Sequence, residues 1–400
     1  MGELDVSNLM TVKEAIAVID AVVVCPRVEQ MPLGQSAGRR LAAQLRVDRD
    51  SPPFDKSLMD GYAVRADDLA RAPCELPLSG RIAAGEMSAD PLPPGTAMAI
   101  MTGAPLPAGA DAVVPVEQSS MAGGMIQFTR TALAGRFLAR RGSEARAGEI
   151  ALERGVRLGP AQIAVAASIG AAMVSVFATP SAAVLGSGDE LVDVDRTPSG
   201  VQIRSCNNPM LMALLGRLHC RGVDLGIVAD EPAKLREAIR QGLRQDVMLI
   251  SGGMSMGERD FVPGILRELG GELKITKLRI KPGKPFVFAV MPGGKFVFGL
   301  PGNPVSAFVC TVCLASRLLE RLGGGVPGLA TRKFPLAGAL EANGPREFYH
   351  PAVLEGSAVA ALPWKGSADI FTLARADGLI VRPADHPPLD AGAMVEFFEI

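Results

Sequence analysis

Aromatic side chains are scarce, at 4% of 400 residues, with one tryptophan and two tyrosines. The cores are therefore expected to rest on Ala, Val, Leu, Ile and Met. An excess of either charge is also missing: 41 basic residues face 42 acidic ones, for a formal net charge of −1. That excludes a general nucleic-acid binder, which draws its affinity from surplus Lys and Arg. It leaves room for a local basic pocket that holds a small anion. The six cysteines, at positions 25, 74, 206, 220, 310 and 313, follow no disulfide framework and read as reduced, cytosolic thiols. Cys310 and Cys313 have CxxC spacing without a second pair, inside an apolar run over 309–319 that looks helical. Buried helix cysteines are expected there rather than a metal or redox site. Only three histidines occur, His219, His350 and His386, none beside a G-x-S-x-G elbow or a metal-ligand pair. Serine-hydrolase and zinc-hydrolase chemistry are unsupported. No apolar run reaches the length of a membrane span. The first, over 15–24, is broken by Asp20 and reads as a helix opened by a Thr11–Glu14 capping box. No secretory signal is read, so the expectation is a soluble cytoplasmic protein with no membrane or nucleic-acid partner.

Glycine and proline, by contrast, are abundant, with 45 and 31 residues. They mark tight turns and short elements throughout. Hydrophobic residues at 48% and charged residues at 21% give the balance of a folded protein. Four hundred residues exceed one ordinary core, so several domains are expected. After the first helix and a polar segment, residues 51–136 carry short β-like runs and read as a compact β-rich lobe. Residues 148–177 turn Ala- and Val-rich, with a helix over 161–170. Residues 180–325 then alternate strand and helix: strands over 182–185, 223–228 and 247–250, helices over 208–217, 232–243 and 261–269. This rhythm predicts a doubly wound, mostly parallel sheet. A Gly323-Gly324-Gly325 stretch with Pro327 reads as a linker. Residues 334–400 read as a small β-barrel or sandwich.

Several turns at strand ends carry the residues on which chemistry would depend. In 246–260 a buried strand ends in Ser251, and Gly252 and Gly253 let the chain turn before a helix near Asp260. Successive backbone N–H groups at such a turn suit a phosphate, though a plain βα turn has the same pattern. The loop at 297–306 again joins a strand to a long helix. Pro301 and Pro304 stiffen it, and Ser306 stands at the helix start as an anion contact or a simple cap. Between these loops, Lys281 and Lys284 flank a Pro-Gly turn, in Lys281-Pro-Gly-Lys-Pro285. Two ammonium groups on one rigid turn repel each other unless an oxyanion sits between them; a solvated basic turn is the alternative. The Gly-Lys is followed by Pro, which rules out the nucleotide loop of the ATPases. Acidic residues recur near turns: Asp60 before Gly61, which reads as a turn residue, then Asp189 and Glu190, then Asp230 and Glu231. Carboxylates grouped near phosphate would suit Mg²⁺; singly they are caps or solvated turn residues.

Taken in order, six segments resemble the MoeA family of molybdopterin molybdenumtransferases, which includes the E domain of gephyrin. They are Phe54-Asp-Lys-Ser-Leu-Met-Asp-Gly-Tyr-Ala-Val64, Ile100-Met-Thr-Gly-Ala104, Gly186-Ser-Gly-Asp-Glu190, Ser251-Gly-Gly-Met-Ser-Met-Gly257, Lys281-Pro-Gly-Lys-Pro285 and Pro301-Gly-Asn-Pro-Val-Ser306. The resemblance implies an α/β multidomain homodimer. It combines 1–26 with 178–326 as a molybdopterin-binding domain and 27–49 with 137–177 as a connecting, dimer-forming subdomain. It makes 50–136 the β-rich lobe and 327–400 a C-terminal β-barrel. It implies insertion of molybdate into adenylated molybdopterin with release of AMP and Mg²⁺ present. Lys281, Lys284, Ser306, Arg346 and Ser367 match molybdate contacts. Asp60, Thr102, Glu190, Asp230 and Asp260 match positions linked to activity, with Asp60 and Thr102 acting across the dimer. Ser251, Gly252, Gly253, Ser255, Pro301, Asn303 and Pro304 fall in the cofactor-binding segments, and Asp60, Glu190 and Asp230 are the expected Mg²⁺ ligands. Molybdopterin adenylyltransferase and molybdoenzyme-maturation proteins are the implied partners.

Two positions depart from the family pattern. Glu144 stands where Asp is usual, and His350 where Arg is common after Arg346-Glu-Phe348. One rival reading is molybdopterin adenylyltransferase, which shares the sheet but normally lacks both the lobe around Asp60 and the barrel. The other is a non-catalytic scaffold like gephyrin's receptor-clustering domain.

Overall fold

The computed structural model describes residues 9–254, 261–328 and 331–400. These fall into two compact units. The first takes in the described residues of Met1–Gln30, Gly38–Ala42 and Ser175–Ile400, and the second is Met31–Ala37 with Ala43–Val174.

The first unit begins with α1 (Val12–Ala21). Its N-terminus carries the capping box: Glu14 N–H donates to Thr11 Oγ1 (3.2 Å), and Thr11 N–H donates to the Glu14 carboxylate (2.8 Å). Val12, Ala15 and Ile19 recur at helical spacing and are buried against one face of a sheet. The α/β core follows as β1 (Ser181–Ser187), α2 (Asn207–Arg217), β2 (Arg221–Val228), α3 (Pro232–Gly242), β3 (Val247–Ser251) and α4 (Val262–Glu268). Then come β4 (Glu272–Ile275), β5 (Ile280–Lys281), β6 (Val287–Met291), β7 (Lys295–Leu300) and α5 (Pro304–Cys310). A π turn over Thr311–Ala315 joins α5 to α6 (Ser316–Leu322).

The sheet order is β2-β1-β3-β7-β6-β4. Its first four strands run parallel, and β6 returns antiparallel to β7. Ala182, Val184, Val247, Leu249, Phe296 and Phe298 pack beneath α1, α2, α5 and α6. Ala183, Leu185, Met248, Ile250 and Val297 pack beneath α3 and α4. Both faces are covered, which is why these strands read as unbroken apolar runs. This is the doubly wound, mostly parallel sheet that the alternation predicts. The aromatics correct one expectation: Phe286, Phe288, Phe296 and Phe298 are among the largest fully buried side chains. Phe288 stacks on Phe298 with ring centroids 4.8 Å apart. Scarcity over the whole chain concealed a local concentration on β6 and β7.

The same unit ends in β8 (Thr331–Pro335), β9 (Glu347–Glu355), β10 (Ala358–Ala361), a short α7 (Ile370–Leu373), β11 (Gly378–Arg382) and β12 (Met394–Glu399). Strands pair in the order β5-β9-β11-β12-β8, with β10 on β9. A bridge between Leu336 and Val359 brings the curl back on itself. Leu336, Ala352, Val359, Ile380, Val395 and Phe397 fill its interior. The strand β5 belongs to this curled sheet, although it lies between two strands of the α/β sheet in sequence: Ile280 pairs with Glu347 and Lys281 with Phe348.

The second unit holds a six-stranded sheet in the order Ala112–Pro115, Gly61–Val64, Ala97–Ile100, Cys74–Ile82, Met125–Phe128 and Ser119–Ala122. Gly61 corrects a reading: it opens a strand rather than a turn. A Cβ there would meet the Val114 carbonyl oxygen at 2.0 Å, so close strand approach explains the glycine. Among the described residues no helix is long and apolar enough to cross a membrane.

Candidate functional site: a basic cleft at a shared turn

The Lys281-Pro-Gly-Lys-Pro285 turn leaves the curled sheet at β5 and enters the α/β sheet at β6. It is pinned from within, because Leu278 N–H and Phe286 N–H both donate to the Lys284 carbonyl (3.0 Å each). Beneath it, the Cys310 thiol lies 3.8 Å from the Gly283 carbonyl. Cys310 and Cys313 are wholly buried, and burial pushes both thiols far up in pKa. Both are inert buried thiols, as their apolar surroundings predict.

A cleft of about 560 Å³ opens beside the turn. Its walls are Lys281 and Lys284, then Pro301, Asn303 and Ser306 from the β7–α5 loop, Arg346 ahead of β9, and residues 364–367 ahead of α7. Asn303 holds the N-cap position of α5 yet makes no side-chain cap. Its Nδ2 instead donates to Ser367 Oγ (2.8 Å), and Val305 N–H donates to the Ser367 carbonyl (3.1 Å). Those two bonds staple the 364–367 loop to the helix start and place Ser367 near Ser306, the third residue of α5. Pro304 is the first residue of α5, where a missing N–H costs nothing. The five expected molybdate residues, Lys281, Lys284, Ser306, Arg346 and Ser367, thus line one cleft.

Its electrostatics are one-sided. Four cationic side chains line it, Lys365 being the fourth, and no carboxylate does among the described residues. Burial, then the charges of Arg346 and Arg382, lowers the Lys281 pKa; burial lowers that of Arg346. An oxyanion in the cleft would relieve both effects. Lys365 and Trp364 were not singled out from the sequence. The available signal was that the chain's only tryptophan directly precedes Lys365-Gly-Ser367.

The remaining candidates of this unit gather at the carboxyl ends of the parallel strands, where open α/β sheets bind ligands. Ser251 closes β3, and Gly252 turns with φ 97° so near to β1 that a Cβ would meet the Ser187 carbonyl oxygen at 2.1 Å. Asn207, also not foreseen, ties this turn to its neighbour. Its Nδ2 donates to Ser251 Oγ (2.5 Å) and to the Gly302 carbonyl (2.7 Å). Ser187 Oγ donates to Asp230 (2.5 Å), and Asp230 N–H donates to Asp189 (3.1 Å). The Glu190 carboxylate folds over Gly188. Gly253 continues the turn with φ 67°. Ser255 and Asp260 lie outside the described residues.

Asp60 and Thr102 meet in the second unit. Thr102 N–H (2.7 Å) and its hydroxyl (2.8 Å) both donate to Asp60 Oδ1, and these two bonds lower the Asp60 pKa. The three expected Mg²⁺ ligands are therefore divided, with Glu190 and Asp230 in the first unit and Asp60 in the second. Among the described residues no group of three or more His, Cys, Asp or Glu could hold a metal ion. Glu144 accepts from Ser51 Oγ (2.8 Å) and Lys56 Nζ (3.0 Å), both within the second unit. His350 does not line the cleft; it lies behind Phe348, stacked on that ring at 4.6 Å.

A doubly wound sheet with glycine turns at its strand ends, joined to a small curled sheet by a turn that presents cations, defines a two-sheet class of α/β protein. Three family descriptions match in sequence order: "MoeA N-terminal region (domain I and II)" over residues 10–170, "Probable molybdopterin binding domain" over 183–321, and "MoeA C-terminal region (domain IV)" over 333–400. A molybdopterin molybdenumtransferase of Haemophilus influenzae is 37% identical over 74% of this chain and 73% of its own length. One from Synechococcus elongatus is 34% identical over 92% of this chain and 94% of its own. A crystal structure of a Pyrococcus horikoshii molybdopterin biosynthesis MoeA protein superposes with a TM-score of 0.86 at 25% identity, covering 98% of this chain and 100% of that one. The chain belongs to the MoeA family of molybdopterin molybdenumtransferases.

Proposed function

We propose that this chain inserts molybdate into adenylated molybdopterin and releases AMP, as a step of molybdenum-cofactor biosynthesis. The observation that carries the reading is the cleft with four cations and, among the described residues, no lining carboxylate. Molybdate is a tetrahedral dianion that needs fixed positive donors, and Lys281 and Lys284 stand on one stiff turn with Ser306 and Ser367 as neutral donors. The turn at Gly252 and Gly253 holds the phosphate side of the pterin. A bound Mg²⁺ would neutralise charge on the pyrophosphate, which eases its cleavage. Glu190 and Asp230 fit such an ion, which commonly takes one or two carboxylates together with substrate phosphates. Asp60, oriented by its two hydrogen bonds from Thr102, acts on the same substrate, contributed across a homodimer. The cytoplasm, where reduced thiols persist, is the compartment of this reaction.

The test combines purified chain, adenylated molybdopterin, molybdate and Mg²⁺, and follows AMP and bound molybdenum. Stoichiometric AMP release with a metal-loaded product is expected; no AMP release there, with ATP consumed in a second mixture of molybdopterin, ATP and Mg²⁺, would instead mark an adenylyltransferase. Each charge-assisted contact contributes about 1.5–3 kcal/mol, so the Lys281→Ala, Lys284→Ala pair should raise the molybdate KM more than about tenfold. Unchanged binding in that double variant refutes the assignment of the cleft.

A further inference from the structure

A lysine that faces an anion must be held in place without being neutralised. A carboxylate partner would fix Lys281 but would also compete with the incoming oxyanion. Among the described residues no acidic side chain pairs with Lys281; two aromatic rings flank it instead. Its Nζ lies 4.3 Å from the centroid of the Phe348 ring and 5.4 Å from that of Trp364, both within cation–π range. The rings lie against each other, centroids 5.0 Å apart, and His350 stacks on Phe348 behind them. The backbone register places Lys281 beside Phe348, because Lys281 on β5 is paired with Phe348 on β9.

We propose that Phe348 and Trp364 are positioning residues for molybdate binding: an aromatic wall that fixes the Lys281 ammonium while leaving its charge for the ligand. The proposal rests on the reading of the cleft as the molybdate site. A ring face attracts a cation through its quadrupole and carries no net charge. The dianion entering the cleft therefore meets an ammonium already in place, and little side-chain entropy remains to be lost. A wall made only for barrel packing would contribute to stability and not to anion affinity.

The experiment measures molybdate binding by titration calorimetry and the molybdate KM and kcat of the full chain. The variants are Trp364→Leu, Phe348→Leu and the ring-retaining Trp364→Phe, each with Lys281 intact and with Lys281→Met. Loss of one ring contact is expected to weaken molybdate binding about three- to tenfold, in KM rather than kcat. Trp364→Phe should recover most of that loss. In the Lys281→Met background the ring changes should add nothing, since they act through the ammonium. Equal losses in both backgrounds, or no loss from Trp364→Leu, overturn the wall. If Phe348→Leu does not fold, the variants at Trp364, which is less buried than Phe348, decide alone. If Lys281→Met itself leaves binding intact, the cleft reading fails and the wall with it. If Lys281→Met weakens binding while Trp364→Leu does not, only the wall fails.

Discussion

His350 sits behind the cleft wall, stacked on Phe348 and largely shielded from water. Its Nε2 lies 2.9 Å from the Leu362 carbonyl, and its buried Nδ1 has no partner among the described residues. Burial is the main cause that lowers its pKa to about 4, helped by the charges of Arg382 and Lys281, while the Leu362 carbonyl opposes them. The free imidazole titrates near 6.5. Between those values the unfolded chain takes up the proton and the folded one does not. The His350 contribution to stability should therefore be lost as pH drops from about 6.5 to about 4, by roughly 3 kcal/mol in total. A His350→Phe variant keeps the stack on Phe348 and should flatten this limb in urea denaturation followed against pH. An unaltered limb would show that another group titrates.

At the scale of elements, the start of α5 matters most. Asn303 forgoes its own helix cap to hold Ser367, so the helix start and the 364–367 loop form one unit. Asn303→Ala is expected to cost about 1 kcal/mol and to raise the hydrogen-exchange rate of the Val305 amide, measured by NMR. The helices themselves were legible, because their apolar spacing and prolines are local signals. The segment read as 232–243 is the helix Pro232–Gly242, and that read as 261–269 is Val262–Glu268. The strand–helix alternation likewise gave the doubly wound sheet. Long-range choices were not legible. Nothing near Ile280 and Lys281 announces that they pair with a strand 67 residues further on, since strand pairing is set by tertiary packing. The ring wall was hidden for the same reason, as was Asn207, whose two bonds reach Ser251 and Gly302 on different loops. At the cleft, the Pro-Gly-Lys turn could be read directly, whereas Trp364 and Lys365 enter it only through the fold.

On the scale of the whole molecule, the cleft's walls come from segments far apart in the chain. Lys284 leads into the α/β sheet, Arg346 directly precedes β9 of the curled one, Ser367 lies in the loop after β10, and Lys281 sits in β5 where the two meet. A ligand that touches all of them binds only when the two sheets are docked. Any ligand selective for the native state stabilises it by mass action, about 2.7 kcal/mol at a hundredfold excess over Kd. Molybdate alone is thus expected to raise the melting temperature and to slow hydrogen exchange at β5 and the start of β9, with smaller effects at α3. Uniform slowing, or none, would count against a ligand held across that seam. The oxyanion would then serve as mortar as well as cargo: a molecule starved of metal would have looser masonry at this joint, and its susceptibility to proteases around residues 323–328 would report how much molybdate is at hand.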